Sequence, residues 1–504
     1  MNTTTKKYIL STVVFLTGIF SFSTIKAQQS NYYWAQNFNS VSSLLSGAVV
    51  AGGGGTSSIY YNPANISNVG INSNLSVSAV MFSWRYYKRD NFLGNGINLN
   101  NLEFFVQPRF ITYVDRLPKS KFTLAGTVFT RIHERTEINY VGQQYIDILK
   151  SYPGYEQYNA YYNYRDRYND TWVGLAASYA VSQKFYWGMS AFVSSVSRQY
   201  LQEIENSAVA MTDKDIFTAI YNSRVYVSYN NYRIIFKIGM AYKTDHWRFG
   251  INLSTPSFTV LSTDRKLLYT QNQDNITYQG KPLPDSTIFF SRQGNRVTSH
   301  VRLPFSVALG TVYLFPHSNS RLYFTIEHFF PLAPYLSMEA YPHPNTPGER
   351  LMHRYLSVAS GSKNLTNVAV GFRWEKNRNL GLMLGFRTDF NYLKNFNFGQ
   401  YKGYKTLVNT LSDNYHFTGG AEFTVLGQKV ISGVELTYSR SKNQKQVANF
   451  TNPVEYNAKE HIPLQGPLEN KASIHYFAIK LYLSATLNFG GGKKLIKRTP
   501  LTKK

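Results

Sequence analysis

Apolar residues alternate with polar or small residues along many stretches of this chain, and this period of two is typical of β-strands that bury one face. In one such stretch Leu382, Leu384 and Phe386 fall on one face, whereas Met383 and Gly385 fall on the other. After the first 27 residues, no apolar run is long enough for a transmembrane helix. The sequence therefore predicts an all-β protein.

The connections between the predicted strands alternate in length. Those after even-numbered strands are short turns, whereas those after odd-numbered strands run to roughly 16–33 residues. Bacterial outer-membrane barrels have short periplasmic turns and long external loops, and an even strand number returns both chain ends to the periplasm. We therefore predict a transmembrane antiparallel β-barrel of about 14 strands, not a soluble β-sandwich. The strands are expected near residues 73–86, 103–114, 121–138, 169–181, 184–200, 222–243, 246–262, 296–315, 319–330, 364–375, 379–391, 413–425, 430–442 and 471–489.

The start of the chain has the pattern of an export signal. Lys6 and Lys7 form a basic beginning, residues 8–22 are apolar, and Ala27 is a small residue suited to cleavage. We predict a signal peptide over residues 1–27, with an uncleaved membrane anchor as the alternative. The chain has no cysteine, which excludes disulfides, thiolate metal ligands, cysteine nucleophiles and a lipoprotein anchor.

Composition supports the outer-membrane prediction and indicates the partners. The chain has 40 tyrosines and 34 phenylalanines, which suit the aromatic girdles of such barrels, and only 16% charged residues. Its net charge is +25. In an exported protein this charge favours outer-membrane lipids, lipopolysaccharide phosphates or anionic ligands as partners, and not nucleic acid. Part of the charge lies in residues 490–504, which we expect to form a solvated periplasmic tail.

A glycine-rich segment with aromatic residues precedes the first predicted strand. Its glycines and Pro63 exclude a core helix or a central strand, while Tyr60 and Tyr61 make it too apolar for a plain linker. A barrel of about fourteen strands leaks unless its lumen is filled. We therefore expect residues 28–72 to plug the barrel of residues 73–489, either as a gate or as a fixed cork. The predicted plug and gate residues are Gly53, Gly54, Tyr60, Tyr61, Asn62, Pro63 and Ala64.

Several motifs resemble those of the outer-membrane long-chain fatty acid and hydrophobic compound transporters, the FadL/TodX type. The glycine-rich lead into Tyr-Tyr-Asn-Pro-Ala, residues 60–64, resembles the Asn-Pro-Ala motif of that family's plug. The hairpin at residues 237–258 and the strand at residues 302–315 also resemble family segments. The likeness covers most of the mature chain. It implies a channel for hydrophobic compounds without a cofactor, a metal or a catalytic residue.

Two departures from the family pattern concern the plug and the third strand. Asn65 follows the Asn-Pro-Ala motif, where the family usually has glycine. The third strand lacks the Pro-Phe-Gly that carries a kink and a lateral opening in the family. The sequence therefore leaves the exit route of a ligand open.

If the apolar faces contact lipid, the alternate residues of each strand point into the lumen. Four cations, Arg109, Arg131, Lys237 and Arg302, are predicted to meet an anionic ligand there. The alternative is a set of ion pairs that ties the wall to the plug. The same parity predicts that further polar or charged residues face the lumen, namely Gln107, Arg233, Arg373, Arg387, Lys480, Glu327, Glu375, Glu422 and Glu435.

Two external segments are predicted to form short amphipathic helices that capture the ligand, at residues 145–152 and 215–221. A lid packed on neighbouring loops is the alternative. The stretch 152–170 is dense in tyrosine and polar, which suits contacts with a protein partner or with sugars. The predicted capture residues are Tyr145, Ile148, Leu149, Phe217 and Ile220.

Together these features predict a passive outer-membrane channel for hydrophobic compounds such as long-chain fatty acids. The sequence contains neither a Gly-x-Ser-x-Gly nor a His-Glu-x-x-His motif, so we predict that the protein is not an enzyme. The alternative function is a non-enzymatic barrel subunit of a larger outer-membrane machine for protein secretion or insertion, with other outer-membrane proteins as partners.

Overall fold

The computed structural model describes residues 31–34, 40–69, 74–107, 110–117, 120–152, 154–211, 215–341, 348–377, 379–407, 411–425 and 428–488. The predicted signal peptide and basic tail lie outside these residues and stay predictions. The strands are β1 (Asn74–Asp90), β2 (Leu99–Gln107), β3 (Phe110–Arg116), β4 (Phe122–Ile146), β5 (Glu156–Ala180), β6 (Phe185–Met211), β7 (Ile216–Lys243), β8 (Trp247–Ser254), β9 (Phe258–Asp274), β10 (Thr277–Tyr278), β11 (Lys281–Pro282), β12 (Ser286–Gln293), β13 (Val297–Ser299), β14 (Ser306–Leu314), β15 (Ser320–Phe329), β16 (Leu332–Ala340), β17 (Val358–Ser362), β18 (Leu365–Asn377), β19 (Leu380–Asp389), β20 (Asp413–Val425), β21 (Gln428–Gln444), β22 (Tyr456–Asn457), β23 (Ile462–Pro463) and β24 (Ala472–Asn488).

The helices in the described part of the chain are short. None of them is long and apolar enough to cross a membrane. The α-helices are α1 (Ser40–Leu44), α2 (Ser58–Tyr61) and α3 (Glu349–Leu356), and the 3-10 turns are Gly55–Ser57, Pro63–Asn68, Gly294–Arg296 and Gly399–Tyr401.

Antiparallel pairing joins the strands into one large sheet. β1 pairs with β3 at its start and with β2 further along. The pairing then follows the chain from β3 through β4, β5, β6, β7 and β8. It continues through β14, β15, β18, β19, β20 and β21 to β24. β24 also pairs with β1, so the first and the last strand are hydrogen-bonded neighbours. The all-β architecture is confirmed, and the number of fourteen strands stays a prediction.

Side chains alternate between two faces along these strands. On β5, Val173 and Leu175 are exposed, whereas Trp172 is buried. On β19, Leu382 is exposed and the adjacent Met383 is buried. Because exposed apolar side chains form a continuous face of the sheet, this is the face that an outer-membrane barrel turns to lipid.

The hairpins β4–β5 and β6–β7 are much longer than a membrane span. Their strands have 25, 25, 27 and 28 residues, whereas a membrane-spanning strand needs about 9–11. The predicted external helices are wrong, since Tyr145 belongs to β4, and Phe217 and Ile220 belong to β7. Most of the stretch 152–170 is likewise part of β5 and not a loop. Residues 216–221 pair along their length with β6, and this pairing outweighs the weak helix preference of so few residues. In the first segment Tyr145 and Ile146 end β4 and pair with β5, and residues 147–152 form the turn that follows.

Thiol labelling tests the orientation of the wall. The chain has no native cysteine, so a single introduced cysteine reports only its own position. Gln279, between β10 and β11, and Lys376, near the end of β18, are both exposed. We expect a membrane-impermeant maleimide to label Gln279→Cys on intact cells and Lys376→Cys only after lysis, because external loops are long and periplasmic turns short. Labelling in the opposite order would overturn the orientation.

Candidate functional site

The residues predicted to form the plug pack against the inner face of the wall as short turns. Leu44 and Ile59 are fully buried. Asn62 has an extended backbone, with φ −164° and ψ 101°, as expected before a proline. Its side-chain amide donates to the carbonyl oxygens of Val50 at 2.8 Å and Met240 at 3.0 Å. Asn62 therefore ties two parts of the plug to β7.

Wall glycines allow the plug backbone to lie directly on the strands, and we name them the glycine belt. A Cβ atom on Gly188 would lie 2.7 Å from the carbonyl carbon of Pro63, and one on Gly310 would lie 2.7 Å from the amide nitrogen of Ala51. Any larger residue at these positions would have to displace the plug, because backbone atoms cannot move aside as a flexible side chain does. The belt comprises Gly188, Gly239, Gly250, Gly310, Gly371, Gly385, Gly420 and Gly433.

Gly53 and Gly54, which were predicted to belong to the plug and its gate, are also tightly packed. Gly53 has a φ of +89°, and a Cβ atom there would lie 2.5 Å from the ring of Tyr323. A Cβ atom on Gly54 would lie 3.0 Å from the hydroxyl of Ser57. Alanine at Gly53 would therefore strain the plug as well as stiffen it.

Tyr60 of the plug fills an aromatic box on the inner wall. Its ring centroid lies 5.7 Å from that of Phe129 and 5.7 Å from that of Trp172, and 6.4 Å from that of Phe192. The Lys237 ammonium lies 4.1 Å from the Tyr60 ring centroid, a cation–π contact. Lys237 is buried on the inner face, as predicted, and it touches the plug directly.

Arg131 belongs to a buried ion-pair network. Its guanidinium lies 3.2 Å from Asp170 Oδ2, and that of Arg233 lies 2.7 Å from the same atom. Ser194 donates to Asp170 Oδ1 at 2.6 Å. Arg131 also donates to the backbone carbonyl of Tyr33 at 2.6 Å. Arg131 thus faces inward as predicted, and its contacts match the alternative in which ion pairs hold the N-terminal segment to the wall.

A cavity of about 70 Å³ lies beside this network. Tyrosine hydroxyls are neutral at pH 7 and can donate hydrogen bonds, and burial raises the pKa of Tyr33 well above its usual range and also raises the pKa of Tyr392. The cavity is therefore an aromatic and hydroxyl-rich space with cations at its edge. Its lining includes Tyr33, Tyr168, Tyr229, Tyr335, Tyr392, Arg198 and Arg302.

One of the four predicted cations, Arg302, does not lie inside the lumen on a strand. Arg302 precedes β14 and is exposed at the cavity, with its guanidinium 4.6 Å from the ring centroid of Tyr335. The prediction of a lumen-facing strand position was wrong because Pro304, which has no N–H group, lies where the strand ladder would need a donor. Arg109 lies outside the described residues.

The second and third strands of the wall separate on the external side. β4 pairs with β5 on one edge along its whole length. On its other edge β4 pairs with β3 only as far as the Phe110–Phe129 pair. Within the described ranges, no pairing joins β2 to β4. A register shift between Thr130 and Ile132 marks a bulge at Arg131. β4, which corresponds to the third predicted strand, therefore bends although it lacks the family's Pro-Phe-Gly. The aromatic box around Tyr60 lies at the base of this separation, which we name the lateral gap.

A groove of about 280 Å³ lies at the external end of the gap, between the β1–β2 turn, the β4–β5 hairpin and the loop before β22. Tyr140 and Phe450 stack there with ring centroids 5.9 Å apart. Ile148 and Leu149, predicted to be exposed capture residues, are instead buried in the cluster beneath these loops. Their backbone amides donate to Glu156, which fixes them as part of a packed lid.

Arg89 was missed by the sequence argument. It lies on the inner face of β1 and is 1% exposed. Within the described part of the chain its Nε and one terminal nitrogen have no hydrogen-bond partner, and no carboxylate lies within ion-pair distance. Its guanidinium lies 5.1 Å from the ring centroid of Tyr87. A buried guanidinium with unpaired donors is suited to an anionic group.

The described residues contain no group of three or more His, Asp or Glu side chains that could hold a metal ion. Inside the wall the structure brings together aromatic rings, tyrosine hydroxyls, guanidinium groups and the carboxylates that pair with them, such as Asp170. Aromatic rings with a few polar groups suit the binding of an apolar or amphipathic molecule.

No protein-family model matches the chain, and no curated protein matches it. Solved structures do match over nearly its whole length. The toluene transporter TodX of P. putida has a TM-score of 0.54 at 13% identity, covering 91% of this chain and 100% of that one. A Pseudomonas aeruginosa FadL homologue has a TM-score of 0.54 at 12% identity, covering 91% and 100%. The Ralstonia pickettii toluene transporter TbuX has a TM-score of 0.51 at 10% identity, covering 90% and 99%. The resemblance seen in the sequence is thus confirmed in the structure, and this chain has the fold of the FadL/TodX-type outer-membrane barrels.

Proposed function

We propose that this protein is a passive channel in the outer membrane for the uptake of hydrophobic compounds, long-chain fatty acids among them. The observation that carries the proposal is the lateral gap with the aromatic box at its base. A hydrophobic molecule that reaches Tyr60 from outside meets an opening between β2 and β4 beside the Phe110–Phe129 pair. Release into the membrane through that gap spares the molecule a passage through water.

The plug supplies the gate in this proposal. Asn62 and the glycine belt hold residues 44–51 and 62–64 against the wall. Between them lies the stretch 52–61, which carries Tyr60 and three glycines with positive φ, Gly52, Gly53 and Gly55. We infer that this stretch moves when a ligand replaces the Tyr60 ring in the box. Each contact of Tyr60 with the box is also available to an apolar ligand.

Arg89 gives the proposed channel a preference for anionic amphiphiles. Arg89 lies eight residues outward of Met81 on β1. Met81 and Gly433 both pair with Tyr482 of β24, and Gly433 contacts Leu44 of the plug. At about 3.3 Å per residue along a strand tilted by about 40°, this places Arg89 about 20 Å above the plug. A fatty acid whose carboxylate pairs with Arg89 would extend its chain toward Tyr60.

Uptake by cells that express Arg89→Met tests this function and the role of the cation together. Methionine keeps an unbranched apolar side chain but removes the charge. We expect wild-type protein to raise the uptake of both oleate and toluene above that of cells with an empty vector. Arg89→Met should lower oleate uptake about tenfold or more at subsaturating concentration, since a charge-assisted contact contributes about 1.5–3 kcal/mol, and should leave toluene uptake unchanged.

Lys445→Met is the matched control, because Lys445 is an exposed loop cation paired with Glu460 at 3.2 Å. Equal losses of oleate and toluene uptake in Arg89→Met would show a structural role for Arg89. A folded wild-type barrel that raises neither uptake would refute the channel. Co-purification of that barrel with larger barrel subunits would then support the role in a secretion or insertion machine.

A further inference from the structure

Three arginines gather on the outer face of β4 and β5. Arg165 and Arg167 lie on the same face of β5 as the exposed Val173 and Leu175, and the β5–β6 pairing has no register shift between them. Arg135 reaches the outer face of β4 because the bulge at Arg131 shifts the parity of the following residues by one. We name Arg135, Arg165 and Arg167, with Glu137 between them, the arginine cluster.

The charges in this cluster do not balance. Glu137 Oε1 lies 2.6 Å from Arg135, 3.2 Å from Arg167 and 3.5 Å from Arg165. Three guanidinium groups thus share one carboxylate. Arg135 and Arg167 are also direct cross-strand partners, and like charges in that position destabilise a sheet. The Nε of Arg167 has no hydrogen-bond partner within the described residues. A further anion at this position would relieve the repulsion.

The height of the cluster identifies the anion. Phe110 pairs with Ser78 of β1, and Phe104 pairs with Trp84, six residues further outward on β1. On β5, Arg167 pairs with Arg135 and lies five residues outward of Trp172, the partner of Phe129. Phe104 and Arg135 therefore lie within about one residue of the same level. Phe104 pairs with Trp84 of β1, and both rings are exposed on the outer face. Exposed aromatic rings at one level mark the interface between the hydrocarbon core and the headgroups. The arginine cluster therefore lies at the headgroup level of the external leaflet.

We propose that the arginine cluster binds a phosphate group of a phosphorylated glycolipid in the external leaflet, at the rim of the lateral gap. Guanidinium groups bind phosphate oxygens in pairs, and their planar form suits this better than an ammonium does. The acyl chains of the bound lipid would lie on the exposed side chains of Val128 and Val173, which are cross-strand partners on the membrane side of the cluster. A lipid held there would border the exit of the proposed channel. The site depends on the outer-membrane placement and not on which compound is transported.

Native mass spectrometry of the detergent-purified full chain tests the site. The protein is incubated with diphosphoryl lipid A, with its dephosphorylated form, with phosphatidylglycerol or with inorganic phosphate. We expect retention of diphosphoryl lipid A, and a fall on the order of tenfold in Arg165→Gln/Arg167→Gln, as expected for the loss of two basic residues at a membrane surface. The control is Lys281→Gln/Lys459→Gln, which removes the same charge from two exposed positions outside the cluster.

The outcomes separate the sources of phosphate. Equal retention of the dephosphorylated lipid, or unchanged retention in Arg165→Gln/Arg167→Gln, would overturn the site. Displacement of lipid A by millimolar inorganic phosphate would indicate a site for the free ion and would also overturn it. Equal retention of phosphatidylglycerol would show a general attraction for anionic lipids and would overturn the assignment to a glycolipid. Oleate uptake is measured separately from lipid binding. If Arg165→Gln/Arg167→Gln loses lipid A binding but takes up oleate normally, the result supports the lipid site and leaves the proposed channel unaffected.

Discussion

Replacement of Asp170 by alanine is expected to destabilise the folded barrel by about 3–5 kcal/mol, which is the usual cost of removing one partner of a buried ion pair. Asp170 is fully buried and is shared by Arg131 and Arg233, both of which are also buried. Its loss leaves two guanidinium groups in the interior without their carboxylate. The measurement is the temperature at which the barrel loses its heat-modifiable mobility on a denaturing gel.

Two further variants locate the cause of the effect. Asp147→Ala removes an exposed carboxylate that lies 3.5 Å from Lys150, and it should change stability by less than about 0.5 kcal/mol. The triple variant Arg131→Met, Asp170→Leu, Arg233→Met replaces all three charges with apolar side chains. It should recover much of the lost stability, because no buried charge remains unpaired. If Asp170→Ala unfolds at the wild-type temperature, the network does not stabilise the wall.

The fold could be predicted because a barrel strand repeats one simple pattern. Leu382 and Met383 show it, since their alternation in the sequence is the alternation of exposed and buried side chains in the structure. The prediction failed where strands continue beyond the membrane. Tyr158, Tyr162 and Tyr164 point inward on β5 in steps of two or four, yet a polar, tyrosine-dense stretch was expected to be a loop because a membrane span needs only about 9–11 residues.

The contact partners of the candidate site residues could not be predicted, because they come from strands and plug segments that are distant in the sequence. Arg131 and Lys237 could be placed inside the wall by parity alone, but parity does not reveal that one binds Asp170 and the other covers Tyr60. Asp170 itself was missed because it stood at the very start of its predicted strand. Arg89 was missed because its strand was predicted to end at residue 86, whereas β1 continues to Asp90.

The lateral gap begins where the pairing between β3 and β4 ends, at Phe110 and Phe129. The sequence lacks the expected Pro-Phe-Gly, and from this absence the exit route was left open. The structure bends the strand with an ordinary bulge at Arg131, whose side chain is held by Asp170 and by the carbonyl of Tyr33. A bulge requires only one extra residue on one strand and has no fixed sequence signature. Arg131 therefore lies both at the bend of β4 and in the ion-pair network that is expected to stabilise the wall.

The second large effect is expected from Gly250→Val, which should unseat the plug and open the lumen. A Cβ atom on Gly250 would lie 2.7 Å from the Cα atom of Ala51, and it would meet the carbonyl oxygen of Val50 as well. That carbonyl accepts hydrogen bonds from the side-chain amides of Asn62 and Asn65. Valine at Gly250 should therefore break the contact that connects both halves of the plug to the wall.

We expect cells with Gly250→Val to become about tenfold or more permeable to small polar antibiotics, because an unfilled barrel of this size leaves an aqueous lumen. Gly126→Val is the matched control, since a Cβ atom there would meet only the side chain of Leu175, at 3.5 Å. Both variants should assemble as heat-modifiable barrels. A sealed Gly250→Val barrel would show that the glycine belt does not position the plug. If Gly250→Val leaks and also takes up oleate at the wild-type rate, the plug is a cork, because a gate that no longer seats cannot respond to its ligand.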